Sequence, residues 1–241
     1  MLFHFAQEFF KNFLELQPPT SYKMRGYYLE AFRSVDSTEI TSKGFFDFFQ
    51  LLIQDISSPE LDQAAARSRQ LAALEYIVDV VGKDFEHWFK DMQHQRYEEE
   101  LPLVKVLIGG SKASVYAFDE KRVNPICSDY VKFFFADRQT ELSRRLAEAL
   151  GKVTSMIAIF SSRYERTSKE RATLTSTTSS KAVIANILAK EMLSKCPDHQ
   201  TESTRDSFVT FLELLRPSWL ASLVCKRLHG KLSQSLMRYE H

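Results

Sequence analysis

Apolar positions along this chain recur at intervals of three and four residues, the spacing that gathers side chains on one face of an α-helix. Phe3, Phe5, Ala6, Phe9, Phe10, Phe13 and Leu14 form one broad stripe, which Pro18-Pro19 ends. A second helix is predicted over 22–32, with Thr20 or Ser21 as its cap. A third starts at Thr41 or Ser42 and carries Phe45, Phe46, Phe49, Leu52, Ile53 and Ile56. Ser58-Pro59 is a start signal, an N-cap residue followed by proline at the first helical position. The helix it opens presents Ala64, Leu71, Leu74, Ile77, Val78 and Val81, and continues over 83–95 with Phe85, Trp88, Phe89 and Met92 on one side. The run LPLVKVLI at 101–108 fits a short strand or a buried helical turn, and its helical neighbours favour the turn. Residues 111–125 read as a loop. Further helices are predicted over 128–136, 140–160, 182–193, 204–215 and 217–229.

One stretch breaks the pattern. SSRYERTSKERATLTSTTSSK, at 161–181, holds nine hydroxyl residues in its last fifteen positions and offers little to bury. It reads as a flexible, basic, Ser/Thr-rich insertion that separates helical residues 1–160 from helical residues 182–241 of the same domain. The expected class is therefore all-α, an irregular stack of about ten helices with a disordered insertion. No internal repeat marks an array of helical hairpins.

Composition adds to this picture in one respect. Nineteen phenylalanines stand against seven glycines in 241 residues. Glycine alone enters positive φ at little cost, so phosphate-cradling loops and sharp catalytic turns usually need it. This chain has placed its residues in packing surfaces instead. The net charge of +1 argues against a dedicated nucleic-acid binder, which normally shows a strongly basic face. Basic residues nevertheless gather locally at 163–171 and 226–238. Cys127, Cys196 and Cys225 are far apart and odd in number, and read as reduced thiols. The N-terminal MLFHFAQEFFKNFLEL contains Glu8, Lys11 and Glu15 and has no basic leader region or cleavage site, so it is not read as a signal peptide. No run of apolar residues is long enough to span a bilayer.

Candidate chemistry is sparse. His87 and His94, seven residues apart, share a helical face, but no cysteine or carboxylate completes a zinc set at standard spacing. Glu98-Glu99-Glu100 reads as a solvated charge run at a helix end. Gly109-Gly110-Ser111-Lys112 lacks the first glycine of a P-loop. Ile77-Val78-Asp79-Val80-Val81 has the apolar-acidic look of a SUMO-interacting strand, yet it falls inside a helix where those residues serve the core. Thr167, preceded by Arg163 and Arg166, fits a phosphorylation site for a basic-directed kinase; the alternative is a passive solvated linker. No catalytic motif, metal set or cofactor box emerges, and a non-enzymatic protein without cofactor is expected.

Two segments carry a resemblance. LELQPPTSYKMRGYYLEAF at 14–32 resembles a stretch of the SMC-complex localisation factors, where a leucine-rich helix meets a Pro-Pro turn and then an R-Y-Y-L-E-x-F helix. DSFVTFLELLRPSWLASLVCKRLH at 206–229 is similar to a later stretch of the same domain, an aromatic helix, a Ser-Trp-Leu junction and a V-x-K-x-L helix. Residues 130–135 and 140–160 have counterparts in the right order, and the likeness is weak over 36–125. This family includes the SUMO-interacting-motif-containing relatives, and its helical domain is similar to the non-SMC element five subunit. The resemblance implies a nuclear scaffold, with a cytoplasmic pool, that pairs with an element-six-like helical subunit. Such a pair directs the SMC five–six complex to damaged or viral DNA. The chain shows no BRCT, ankyrin or convincing SUMO-interacting region. Candidate partner contacts are Tyr27, Tyr28, Phe32, Arg216 and Trp219, because aromatics and arginine dominate interface hot spots; for each aromatic the alternative is core packing. The second functional reading is weak, direct nucleic-acid binding through 163–171 and 226–238. Neither a small-molecule substrate nor a membrane partner is expected.

Overall fold

The computed structural model describes residues 42–58, 64–93, 104, 107, 118–136, 140–171, 179–195 and 202–238. The helices predicted before residue 40, and with them Tyr27, Tyr28 and Phe32, lie outside the described residues. Within them the regular structure is helical throughout, in seven helices, so the chain is all-α. The chain divides into two compact units, Met1–Ala117 and Phe118–His241.

The first unit holds α1 (Ser42–Ser57) and α2 (Ala64–Gln93), which pack on each other. The stripe Phe49, Leu52, Ile53 and Ile56 on α1 is fully buried, as its spacing predicts. Leu71, Leu74, Ile77, Val78 and Val81 answer it from α2, and Phe85 and Trp88 extend the same side, their rings 5.6 Å apart. Polar groups tie the pair at one end: the Arg67 guanidinium donates to the Ser58 carbonyl at 3.0 Å, and the Gln70 amide to Asp55 at 3.3 Å. The apolar-acidic run 77–81 is core helix, with only Asp79 exposed. Val104 and Leu107 are helical and fully buried, which agrees with the helical reading of that run.

The second unit is built from α3 (Glu120–Phe134), α4 (Glu141–Arg171), α5 (Ser180–Lys195), α6 (Glu202–Leu214) and α7 (Ser218–Arg238). α3 corrects the second part of the expected loop at 111–125, of which residues 111–117 lie outside the described residues. It begins at Glu120 and carries Pro125 inside it. Asp119 caps it, in extended backbone, by accepting the Lys121 N–H at 3.0 Å. Proline forfeits one backbone bond there, but Val123, Ile126 and Cys127 on either side are fully buried. Burying those side chains, at about 1.5–3 kcal/mol for each large one, offsets the loss.

α4 is capped by Thr140, whose Oγ1 accepts the Ser143 N–H at 3.1 Å while Ser143 Oγ donates back to the Thr140 carbonyl at 2.9 Å. The Thr140 hydroxyl thus satisfies one open N–H of the first turn, as an N-cap does, while the Ser143 hydroxyl ties back to the cap residue's carbonyl. The helix then runs well past residue 160, so the first half of the expected flexible insertion is helix. Ser161 and Ser162 are buried, as small hydroxyls whose protons can return to the helix's own carbonyls. The core stripe Leu146, Leu150, Val153, Ile157 and Phe160 supplies the packing that the serine-rich composition concealed.

α5 lies between α3, α4 and α7 and is buried on most of its circumference, through Ile184, Ala185, Ile187, Leu188, Ala189 and Met192. α6 and α7 join at Leu215-Arg216-Pro217, where the Arg216–Pro217 bond is cis and the Leu220 N–H donates to the Pro217 carbonyl at 2.8 Å. Leu220, Val224 and Leu228 seat α7.

Candidate protein-interaction face

The most aromatic region of the second unit joins the end of α3 to α6. Phe211 is completely buried, with its ring centroid 5.0 Å from Tyr130, 4.9 Å from Phe134 and 5.4 Å from Phe135. Phe208 meets Phe135 edge-on at 5.7 Å. Edge-to-face and tilted pairs of this kind are worth about 0.5–1.5 kcal/mol beyond their area. They fix the orientation of α6, and thereby what α6 turns outward.

Two large aliphatic side chains stand exposed there among the polar Arg205, Asp206, Thr210 and Glu213. Val209 is 53% exposed and Leu214 56%, values unusual for large aliphatic side chains in a folded unit. Sequence reasoning did not single them out, although a signal exists. Apolar residues at 208, 209, 211, 212, 214 and 215 are more than one helical face can bury. Phe211 and Leu215 take the inner side, leaving Val209 and Leu214 outside.

At the α6–α7 corner stand the two predicted contacts that the structure describes. Arg216 is exposed, and its guanidinium donates to the carbonyls of Glu213 at 2.6 Å and Leu215 at 3.1 Å. It thereby satisfies the open carbonyls at the end of α6. Trp219 is half-buried, with Lys181 Nζ 4.8 Å from its ring centroid, a cation–π contact joining the first turns of α5 and α7. Trp219 therefore belongs partly to the packing of the unit. Thr167 lies in the helical backbone of α4, not in a loop.

Behind this face two buried groups of α3 are held in their neutral forms. Burial pushes the Cys127 thiol up to about 12, opposed by the Thr154 hydroxyl beside it. Burial likewise pushes the Tyr130 phenol up to about 12, with Cys127 adding to the effect. Both groups stay protonated and neutral at physiological pH. The Asp129 carboxyl is raised by burial, lowered by Lys132 and raised again by Glu191 across the α3–α5 contact. Among the described residues no three His, Cys, Asp or Glu side chains come together in an arrangement that could hold a metal ion. No helix among them is long and apolar enough to cross a membrane. Comparison with protein-family models, with curated proteins and with solved structures found no match to this chain.

Proposed function

We propose that this chain is a non-catalytic helical adaptor that pairs, in the nucleus, with an element-six-like helical subunit. In this reading the pair helps bring the SMC five–six complex to damaged or viral DNA. The observation that carries the reading is the exposure of Val209 and Leu214 on α6, the helix that leads into Arg216 and Trp219. All four residues lie within 206–229, one of the two segments whose residue order resembles the localisation factors. Exposed aliphatic side chains on a helix that leads into an arginine and a tryptophan are of the residue types found at interface centres, where apolar and aromatic anchors are desolvated together. Phosphorylation of Thr167, near the C-terminal end of α4, would place negative charge against the helix dipole and loosen that end.

Co-expression with the element-six-like subunit, followed by size exclusion with light scattering, tests the pairing. A heterodimer is expected, weakened at least about tenfold by Val209→Asp with Leu214→Asp, since each substitution leaves an unpaired carboxylate in the interface. A chain that stays folded but never forms the complex removes the proposal.

A further inference from the structure

The cation–π contact between Lys181 and Trp219 fixes more than a corner. Each residue is the second of its helix, so the first turns of α5 and α7 lie side by side. The two helices also pack on each other, and α6, which lies between them in sequence, turns the chain back. They therefore run in the same direction. Counting from that contact at about 1.5 Å per residue, Lys190 lies about 13 Å along α5 and Arg227 about 12 Å along α7. Lys190 and the Lys226-Arg227 pair thus stand at the same height on neighbouring helices.

The two helices are basic almost without opposition. α5 carries Lys181, Lys190 and Lys195 against one acid, Glu191. α7 carries Lys226, Arg227, Lys231 and Arg238 against none. Since the whole chain has a net charge of +1, the rest of it is net acidic, and the positive charge is concentrated here. Lys190, Lys195, Lys226 and Arg227 are all exposed and make no ion pair or hydrogen bond among the described residues. Arg144 on α4 shows the contrast, since Glu141 and Glu148 both neutralise it. The sequence pattern couples 226–238 with 163–171; the fold sets α7 against α5.

We infer that the α5–α7 pair is a docking face for the phosphate backbone of duplex nucleic acid, bound without base readout. Four unpaired cations on adjacent helices complement a polyanion whose charges repeat about every 1.7 Å of axis. The other exposed side chains nearby, Ser194, Ser222, Cys225 and His229, decide the class of partner. A membrane-surface helix would interleave Trp, Phe or Leu with its cations. Single-strand binders supply aromatic platforms for stacking, and a protein interface would centre on aromatic or aliphatic anchors. Among the described residues no aromatic or large aliphatic side chain of α5 or α7 is exposed: Trp219 is half-buried under Lys181, Leu193 and Leu223 are half-buried, and the exposed Val209 and Leu214 lie on α6.

Fluorescence anisotropy of the full chain with labelled duplex DNA and, separately, duplex RNA tests the inference over a salt series. Engagement of four cations predicts a slope of log affinity against log salt of about −3.6. That corresponds to a loss of about 150-fold between about 50 and 200 mM salt. Lys226→Gln with Arg227→Gln should lower that slope by about 1.8. The same change of net charge made elsewhere, by Lys83→Gln with Arg205→Gln, should leave it unaltered. Binding to both duplexes marks the shared backbone as the ligand, and binding to one alone identifies the source. The inference is overturned by absence of binding at low salt with helicity intact, or by equal effects of the two double variants. Tighter binding to phosphatidylserine vesicles or to a polyglutamate peptide than to either duplex also overturns it. Complex formation with a helical partner is read out independently, through Val209 and Leu214.

Discussion

The Tyr130 ring on α3 lies directly against Gly151 on α4, so close that a β-carbon at 151 would stand 3.0 Å from two ring carbons and 3.1 Å from the phenol oxygen. The ring cannot retreat freely, because Phe211 covers it at 5.0 Å and only 5% of Tyr130 is exposed. Gly151 is therefore a packing glycine within a helix, retained despite its helix propensity. Gly151→Ala gains about 1 kcal/mol of propensity but incurs about 1–3 kcal/mol of overpacking. A net destabilisation of about 1 kcal/mol is expected in urea denaturation. In a Tyr130→Leu background the clash is gone, and the same substitution should become stabilising.

Phe211 is the ring on which three others converge, and it is wholly buried. Phe211→Ala should cost about 3–5 kcal/mol, as expected for a large aromatic removed from a packed site. Phe208, half-buried and touching Phe135 alone among the ring contacts described for it, should cost visibly less when changed in the same way. Equal losses at the two positions would mean that α6 is not anchored through Phe211.

These two sites show what the chain did and did not disclose in advance. Period alone located α1, α2, α6 and α7, because Phe49-Leu52-Ile53-Ile56 and Leu220-Val224-Leu228 repeat at helical intervals and are the buried stripes. It failed at α3, where Pro125 reads as a breaker although the Asp119 cap and the buried Val123 and Ile126 carry the helix through it. It failed again beyond residue 160, where serines look like linker because composition cannot register that small hydroxyls fit a close helix contact. The candidate face was half legible: Arg216 and Trp219 stand out by residue type, whereas Val209 and Leu214 become conspicuous only once Phe211 has taken the inner side of α6. The α5–α7 juxtaposition was not legible at all. It depends on which helices touch, and no local pattern encodes that.

The two cysteines described differ in access. Cys127 is buried with its thiol held at about 12, while Cys225 is exposed on α7. Only the thiolate attacks an electrophile, and a buried thiol must also await an opening of the fold. Iodoacetamide labelling followed by peptide mass mapping should modify Cys225 under native conditions, and Cys127 only as fast as the second unit opens. Comparable rates at the two sites would contradict the packing of α3 against α4.

Asp129 gives the second unit a dependence on pH whose sign is opposite to that of an ordinary ion-paired carboxylate. Burial chiefly, and Glu191 secondarily, disfavour its charged form, and Lys132 only partly opposes them. The folded state thus holds the proton more tightly than the unfolded chain does. Such a group contributes fully to stability below the ordinary aspartate range, and that contribution is lost as pH rises through its raised folded value. Above that value the folded protein bears a partly desolvated carboxylate beside another carboxylate. Asp129→Asn keeps the shape and removes the charge, so it should stabilise the protein at pH 7, with the gain shrinking towards zero in acid. Glu191→Gln should act in the same direction by a smaller amount, since it removes only the secondary cause. Urea denaturation of the three proteins across a pH series checks both. A difference between wild type and Asp129→Asn that stays flat with pH would show that Asp129 titrates as a solvated surface group and that the α3–α5 contact is looser than its geometry indicates.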